Sequence, residues 1–165
     1  MGSIRKDEMR GLVHLDRAEL TDARVSAIRV DLEHRYQLRA TASDTVRAVE
    51  LIAETNGFHP VRAYLTGLRW DGVQRLSEVS TAILRTRCDT AEERDFYSLI
   101  LRRWFVGLVA RAMTPGCKLD TALILQGRQG LGKSTFFRVL GGEWFSDTEM
   151  ALDKDAFMQL RGTWI

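Results

Sequence analysis

The sequence is 165 residues long, with 45% hydrophobic residues, 28% charged residues and a net charge of +2. This is the composition of an ordinary folded protein, and the length leaves room for one good core or for a small domain and part of another. Of the 24 basic residues, 20 are arginine. Arginine suits contacts with phosphate and nucleic acid, and the nucleotide composition of the source genome could produce the same bias.

No secretory or membrane segment is predicted. The N-terminus has no apolar run long enough for a signal sequence, and the most apolar long stretch, residues 96–113, is interrupted by three arginines. Cys88 and Cys117 are far apart and form no CxxC pattern, which is typical of reduced thiols and argues against a disulfide framework or a zinc site. We therefore expect a cytoplasmic protein with no membrane partner.

The chain is predicted to become helical after an irregular start over residues 1–20. From Thr21, apolar residues recur at three- and four-residue steps, which predicts an amphipathic helix with Val25, Ile28, Leu32 and Tyr36 on one stripe. A second helix is expected to begin near Ser43, a good N-cap, and to end at Asn56-Gly57. Its predicted inward-facing residues are Val46, Val49, Ile52 and Ala53.

Two shorter helices are predicted next. Pro60 suits the first turn of a short helix, and residues 73–84 show another amphipathic pattern after the turn signal Asp71-Gly72. Trp70 lies beside that turn. We interpret it as a packing anchor between helices.

The longest helix is predicted to run from a capping box, with Thr90 as the cap and Glu93 three residues on, to a stop before Pro115. Its apolar residues cover more than one stripe, so we expect it to be buried on most of its circumference. Arg102 and Arg103 are the exceptions. They form either a solvated face or a contact with nucleic acid or another subunit.

The most specific motif is Gly127-Arg128-Gln129-Gly130-Leu131-Gly132-Lys133-Ser134, which fits the phosphate-binding pattern G-x-x-x-x-G-K-[ST], the P-loop or Walker A motif. An apolar run at residues 121–126 precedes it, as expected of a buried strand in a parallel sheet, and a helix is predicted over residues 135–140. The glycines permit backbone conformations that turn successive N–H groups towards a phosphate. The helix directs its positive dipole end at the same anion.

These residue types predict a site for ATP with Mg²⁺. Lys133 is expected to bind the β- and γ-phosphates, the Ser134 hydroxyl to ligate Mg²⁺, and Thr135 to contact the α-phosphate. The full set of predicted nucleotide-binding residues is Gly127, Gly130, Leu131, Gly132, Lys133, Ser134 and Thr135. A Gly-rich turn that binds nothing is the alternative interpretation.

An ATPase of this kind also needs an acidic element, usually at the end of a neighbouring apolar strand. After a short helix predicted over residues 153–160, Thr163-Trp164-Ile165 is expected to begin such a strand, and no carboxylate follows it in this sequence. Other acidic residues lie after the P-loop helix, but none of these follows an apolar run: Asp147, Glu149, Asp153 and Asp155. We therefore expect nucleotide binding with poor hydrolysis, and no catalytic residue is assigned.

Several motifs in order resemble the virulence-associated protein E family. They are Phe58-His59-Pro60-Val61-Arg62-x-Tyr64-Leu65, Leu68-x-Trp70-Asp71-Gly72-x-x-Arg75-Leu76, Pro115-Gly116-Cys117-Lys118-x-Asp120, the P-loop, Gly142-Glu143-Trp144-Phe145-Ser146-Asp147 and Leu160-Arg161-Gly162-x-Trp164-Ile165. The resemblance covers roughly residues 25–165. It implies the N-terminal portion of a P-loop ATPase similar to superfamily 3 helicases, from phage, prophage and plasmid replication proteins that often carry a primase domain. It also implies DNA as a partner and a ring of subunits in the full-length protein. In that family, acidic residues of the Walker B type follow the strand at Trp164, and this sequence ends before them.

The predicted fold is therefore α/β and mostly helical. We expect an irregular N-terminus (1–20), a helical domain (21–115) and the first part of a P-loop NTPase core (116–165), a parallel sheet with helices that is incomplete at its C-terminal end. The predicted function is the ATP-binding portion of a mobile-element DNA replication ATPase of the helicase type. The alternative is a truncated, non-enzymatic helical module with a vestigial P-loop that binds protein or DNA.

Overall fold

The computed structural model describes residues 3–148 and 160–165 of the chain. The chain divides into two compact units, Met1–Ala63 and Tyr64–Ile165. About half of the described residues are helical, and one small sheet combines antiparallel and parallel pairs. The predicted α/β class with a large helical share is confirmed at this level.

The N-terminal unit contains the sheet. Its strands are β1 (Ile4–Asp7), β2 (Leu12–Leu15), β3 (Ala18–Glu19) and β4 (Gly57–Phe58), in the order β3-β2-β1-β4. The β1 strand is antiparallel to β2 and parallel to β4. The prediction of an irregular start over residues 1–20 is thus wrong. Strands of two to four residues are too short for an alternating pattern to be visible in the sequence, and they form here because each finds a partner in space.

The turn between β1 and β2 is closed by Asp7. Its buried carboxylate accepts hydrogen bonds from the N–H groups of Met9 and Arg10 at 2.9 and 3.1 Å. The N–H of Gly11 donates to the Asp7 carbonyl at 2.8 Å, and Gly11 has a φ of +73°, which favours glycine. These local bonds fix the hairpin to which β4 is added.

Two helices complete this unit, α1 (Asp22–Tyr36) and α2 (Ala42–Thr55), and both were predicted. The α2 N-cap is Thr41, not Ser43; its hydroxyl accepts a hydrogen bond from the Asp44 N–H at 3.1 Å. The buried residues of α2 follow four-residue steps at Thr45, Val49 and Ala53. The prediction that Ile52 faces inward is wrong, because the adjacent position lies about 100° around the helix.

In the next stretch, α3 (Pro60–Gly67) begins at the predicted proline. The predicted helix over residues 73–84 is reduced to one π-helical turn, Val79–Ile83. Trp70 is 77% exposed, so the prediction of a packing anchor is wrong. Trp70 is exposed because the chain turns at the next residue, Asp71. The Asp71 carboxylate accepts hydrogen bonds from the Val73 N–H at 3.1 Å and from Nη1 and Nη2 of Arg75 at 2.8 and 2.6 Å.

The longest helix is α4 (Ala91–Met113), and the predicted capping box at its start is confirmed. The Glu93 N–H donates to the Thr90 hydroxyl at 3.1 Å, and the Thr90 N–H donates to the Glu93 carboxylate at 3.3 Å. The expectation that α4 is buried on most of its circumference is wrong. Its buried residues, Leu101, Gly107 and Ala112, lie on one side only.

Across residues 3–148 and 160–165, the structure offers no helix of the length and apolar character needed to cross a membrane.

The core of the C-terminal unit is a cluster of Val79, Leu101 and Phe136. Half-buried side chains surround it: Leu84, Trp104, Phe105, Leu123, Leu125, Phe137 and Leu140. Helix α5 (Lys133–Gly141) contributes Phe136 and begins at the end of the P-loop motif, close to the predicted position.

The predicted strand over residues 121–126 does not form. Leu123 and Leu125 are half-buried and pack on the core, whereas Ile124 between them is 85% exposed. Successive side chains of an extended segment point to opposite sides, and a parallel strand needs neighbours that cover both faces. Among residues 3–148 and 160–165, no segment pairs with this one as a strand, so one of its two sides stays uncovered.

The end of the chain is extended but is not a strand beside residues 121–126. The N–H groups of Trp164 and Ile165 donate to the Trp144 carbonyl at 2.7 and 3.2 Å, and the Ser146 N–H donates to the Ile165 carbonyl at 2.9 Å. The helix predicted over residues 153–160 lies outside the described residues except for Leu160, which is in a turn.

Candidate functional site

The P-loop is fixed at both ends by the core of the C-terminal unit. Leu123 and Leu125 precede the loop, and Phe136 and Phe137 follow it, and all four belong to the same apolar cluster. The Trp104 ring lies 6.2 Å from the Phe136 ring and 5.6 Å from the Phe137 ring, measured between centroids. Side-chain packing thus anchors both flanks of the loop, while the loop residues themselves are exposed.

Two glycines of the loop adopt conformations that other residues disfavour. Gly130 has a φ of +84° and Gly132 a φ of +78°, and Gly132 is the left-handed N-cap residue of α5. Among the described residues, no atom lies within 4 Å of a Cβ built at either position. The requirement for glycine at these two positions is therefore conformational and not steric, as the sequence motif predicts.

Lys133, the first residue of α5, folds back over the loop. Its Nζ donates hydrogen bonds to the carbonyl oxygens of Gly127 at 2.9 Å and Arg128 at 2.7 Å. An ammonium group is therefore held within the loop by two neutral acceptors. A phosphate oxygen would be a stronger acceptor, because it carries a negative charge that attracts the ammonium whereas a carbonyl oxygen is neutral.

Ser134 and Thr135 occupy the first turn of α5 and are exposed. The N–H groups of the first turn of a helix have no partner within the helix, and the dipole is positive at this end. Backbone donors, the Lys133 ammonium and two hydroxyl groups are therefore brought together. This donor set can bind an anion and offers Ser134 Oγ as a ligand for a cation bound to that anion.

Of the acidic residues named after the P-loop helix in the sequence analysis, the structure describes Asp147. Asp147 pairs with Arg138 at 2.7 Å on the surface, and Glu149, Asp153 and Asp155 lie outside the described residues. No group of three or more His, Cys, Asp or Glu side chains in residues 3–148 and 160–165 could hold a metal ion. Cys88 and Cys117 are free thiols.

In a comparison with protein families, the model of the virulence-associated protein E-like domain matches residues 65–165. That match covers more than half of the chain. The chain belongs to this family. Among curated proteins, none matches the chain. The match confirms the family resemblance and falls within the C-terminal unit, whereas the resemblance was predicted to start near residue 25.

One feature of the C-terminal unit that the sequence did not predict is an aromatic cluster of Tyr64, Trp144 and Trp164. The ring centroids lie 5.5 to 6.5 Å apart. The indole N–H of Trp164 also donates to the Leu108 carbonyl of α4 at 3.2 Å. The cluster connects the motifs at residues 142–147 and 160–165 to Tyr64 of α3 and to α4. The tryptophan in each of these two motifs was the feature of the sequence from which the cluster could have been predicted.

A second feature, within the virulence-associated protein E-like domain, is a cleft of about 660 Å³ along the N-terminal half of α4. Residues 70 and 73–77 form one wall, and Asp95, Ser98, Leu99 and Arg102 of α4 form the other. The Arg75 guanidinium, hydrogen-bonded to Asp71 at the edge of the cleft, holds the pKa of that carboxyl well below its usual range. The exposed Trp70 lines the same cleft.

Proposed function

We propose that the chain binds ATP with Mg²⁺ through the loop from Gly127 to Thr135. The observation that carries this proposal is the position of Lys133, whose ammonium lies over a loop with two glycines at positive φ and a helix N-terminus at its end. The β- and γ-phosphates would replace the carbonyls of Gly127 and Arg128 as partners of Nζ. Loop and first-turn N–H groups would then bind the phosphate oxygens.

Magnesium would enter with the nucleotide. Mg²⁺ prefers six oxygen ligands and keeps several waters, so one hydroxyl together with phosphate oxygens and water is a sufficient set. Ser134 Oγ is the protein ligand that we propose. Thr135, one residue further along the first turn, is proposed as the α-phosphate contact, and Leu131 as a loop backbone contact.

We propose that the chain hydrolyses ATP poorly. In this class of enzyme a carboxylate holds the metal through water and the attacking water is oriented by a further polar group. Within the described residues, Glu143 and Asp147 are the acidic residues that follow the P-loop helix; both are exposed, and Asp147 is paired with Arg138. A site that binds ATP but has no carboxylate positioned to hold the metal and orient the attacking water is expected to hydrolyse ATP slowly.

The wider role that we propose is in a mobile-element DNA replication ATPase of the superfamily 3 helicase type, in the cytoplasm, with DNA as a partner and a ring of subunits in the full-length protein. Family membership supports this role. The division into a helical domain over residues 21–115 and a P-loop NTPase core over residues 116–165 stays a prediction.

The test is a thermal melt with and without Mg²⁺·ATP for the wild-type chain, Lys133→Ala and a matched control, Lys118→Ala. Lys118 is exposed, pairs with Asp120 at 3.1 Å and lies outside the loop. At a ligand concentration of 100 Kd, binding adds about 2.7 kcal/mol to stability, which gives a clear rise in melting temperature. We expect that rise in wild type and Lys118→Ala and its loss in Lys133→Ala. An equal rise in Lys133→Ala would contradict the assignment.

A non-enzymatic module with a vestigial P-loop, which binds protein or DNA, is the second candidate. The observation that favours it is the exposed Ile124, since a working P-loop normally follows a strand that is paired on both sides. The same melt separates the two candidates. No ligand-dependent rise in the wild-type chain would favour the module.

A further inference from the structure

Helix α4 has two apolar faces, and the described residues cover only one of them. Leu101 and Ala112 lie on the buried face. On the opposite side, four large apolar side chains at three- to seven-residue steps are between 44% and 60% exposed: Phe96, Leu99, Val106 and Met113. Apolar residues on both sides of a helix indicate burial on both sides. We call the exposed side of α4 between Glu92 and Arg103, with Phe96 and Leu99 at its centre, the open face.

The open face carries charges in a defined order. Along the chain, Glu92 and Asp95 come before Phe96 and Leu99. Arg102 and Arg103 come after them. Asp95, Leu99 and Arg102 also line the cleft described above. In the part of the chain that the structure describes, none of these four charged side chains forms a salt bridge or a hydrogen bond. The face therefore has an acidic end, an apolar centre and a basic end.

Two copies of a surface with an acidic end, an apolar centre and a basic end are complementary when they face each other in antiparallel orientation, because each acidic end then meets a basic end. We propose that the open face binds the same face of a second copy of the chain, with the two α4 helices antiparallel about a two-fold axis that passes between Tyr97 and Ser98. Positions at equal distance from the axis then meet. Phe96 of one copy packs on Leu99 of the other, and Glu92 meets Arg103, each contact occurring twice because a two-fold interface repeats every pair.

The flanking charges agree with this alignment. Asp95 and Arg102 lie on the same edge of the open face, two helical turns apart, so each falls beside the opposite charge of the other copy. An antiparallel alignment shifted by one heptad, with its axis at Leu101, would bring the two copies of Arg102 together. A parallel alignment would bring Arg103 against Arg103. Like charges in contact are destabilising, so the charge order selects the first alignment.

The cleft beside α4 provides room for the second helix. Trp70 is the most exposed of the large apolar residues that line it, and Leu76 and Val73 extend the apolar wall. Trp is enriched among the residues that contribute most to protein interfaces. The paired helical segments span only about 12 residues, or about 18 Å, so the interface is at the small end of specific contacts, for which roughly 1,200 Å² is the lower limit. We therefore expect a dimer that dissociates on dilution.

The experiment is sedimentation velocity of the whole chain over a concentration series, without nucleotide, so that its outcome is independent of ATP binding. Variant A carries Arg102→Glu and Arg103→Glu, and variant B carries Glu92→Arg and Asp95→Arg. Each variant places like charges at all four contacts. We expect each to raise the dimer Kd by about 30-fold or more, because several charge pairs are reversed together.

An equimolar mixture of A and B restores every opposite pair, and so does one chain that carries all four substitutions. Both are expected to dimerise with a Kd within about threefold of the wild-type value, since the number of opposite pairs is the same. This rescue also shows that the variants are folded. Arg94→Glu, an exposed residue on another side of α4, is the matched control and should leave the Kd unchanged.

Three outcomes would overturn the proposal. The first is a wild-type chain that stays monomeric throughout the series. The second is dimerisation that A and B leave unchanged, and the third is a mixture of A and B that remains monomeric.

Discussion

The two units of this chain hold their extended segments in different ways. In the N-terminal unit, β1 has a strand on each side and its backbone groups are paired. In the C-terminal unit, residues 121–126 are held by Leu123 and Leu125 on the apolar cluster, without strand pairing among the described residues. The P-loop therefore depends on side-chain packing at its two ends. We therefore expect that a substitution that unfolds the core of the C-terminal unit also abolishes the candidate site.

The largest expected effect comes from removing the side chain that anchors the loop. Phe136 is buried in the cluster and lies one turn after Lys133 on α5. Phe136→Ala should cost about 3–5 kcal/mol of stability, because a cavity replaces the ring. We expect the C-terminal unit to melt at a much lower temperature and nucleotide binding to weaken, while the N-terminal unit keeps its protection from hydrogen exchange.

Tryptophan fluorescence makes this measurement selective. Trp70, Trp104, Trp144 and Trp164 all lie in the C-terminal unit, so fluorescence reports its unfolding, and hydrogen exchange at β1 and β2 reports the other unit. Val139→Ala, on an exposed position of the same helix, is the control and should change little. Equal loss of protection in β1 after Phe136→Ala would show that the two units unfold as one.

A smaller effect is expected within the loop itself. Gly132→Ala places a Cβ at a φ of +78°, which costs about 1–2 kcal/mol for a residue other than glycine. No atom lies within 4 Å of that Cβ, so the cost is one of backbone conformation. Urea unfolding followed by fluorescence should show this loss, and the melting shift with Mg²⁺·ATP should shrink because the N-cap of α5 is displaced.

Gly67→Ala is the matched control for that substitution. Gly67 ends α3, has no atom near its Cβ position and does not have a positive φ. Alanine there should be neutral or should stabilise the helix by less than about 1 kcal/mol. If Gly132→Ala were as stable as Gly67→Ala, the left-handed conformation assigned to the loop would be wrong.

The contrast between the units also explains what could be predicted. Helix boundaries depend on neighbours in the sequence, and the cap at Thr90 and the helix starts near Thr21 and at Pro60 were found correctly. Strands depend on partners distant in the sequence. The four short strands of the N-terminal unit were therefore missed, and a strand was predicted at residues 121–126 from an apolar run that has no strand partner among the described residues.

In the candidate site, too, the features set by neighbouring residues were predicted and those set by distant contacts were not. The glycine positions and the start of α5 follow from the local pattern, and both were predicted. The two carbonyl partners of Lys133 Nζ depend on how the loop closes, which the pattern does not specify. Trp70 was misassigned because a large aromatic residue is usually buried, whereas the adjacent Asp71 turn leaves it exposed.

The smallest expected effect is a dependence of stability on pH that is confined to the N-terminal unit. Burial, assisted by the charge of Arg62, lowers the pKa of His59 from 6.5, while Glu8 and Asp7 oppose the shift. The unfolded chain takes up a proton near pH 6.5 and the folded unit only at lower pH. Between those values the unfolded state binds more protons, so the stability of the N-terminal unit rises with pH. It should fall on acidification through pH 6.5 and level off below the folded pKa.

His59→Asn isolates this contribution. The His59 Nδ1 accepts the Arg62 N–H at 3.4 Å at the start of α3, and an asparagine oxygen can take that place. Hydrogen exchange at β1 and β2, corrected for the intrinsic exchange rate, should show a steeper loss of stability in wild type than in His59→Asn between pH 7 and pH 5. The carboxylates of Glu8 and Asp7 are present in both proteins, so their own titration largely cancels in the comparison. A difference that stays constant across this range would mean that His59 titrates alike in the folded and unfolded chains. Fluorescence of the C-terminal unit should show no such difference, because Asp7, Glu8, His59 and Arg62 all belong to the other unit.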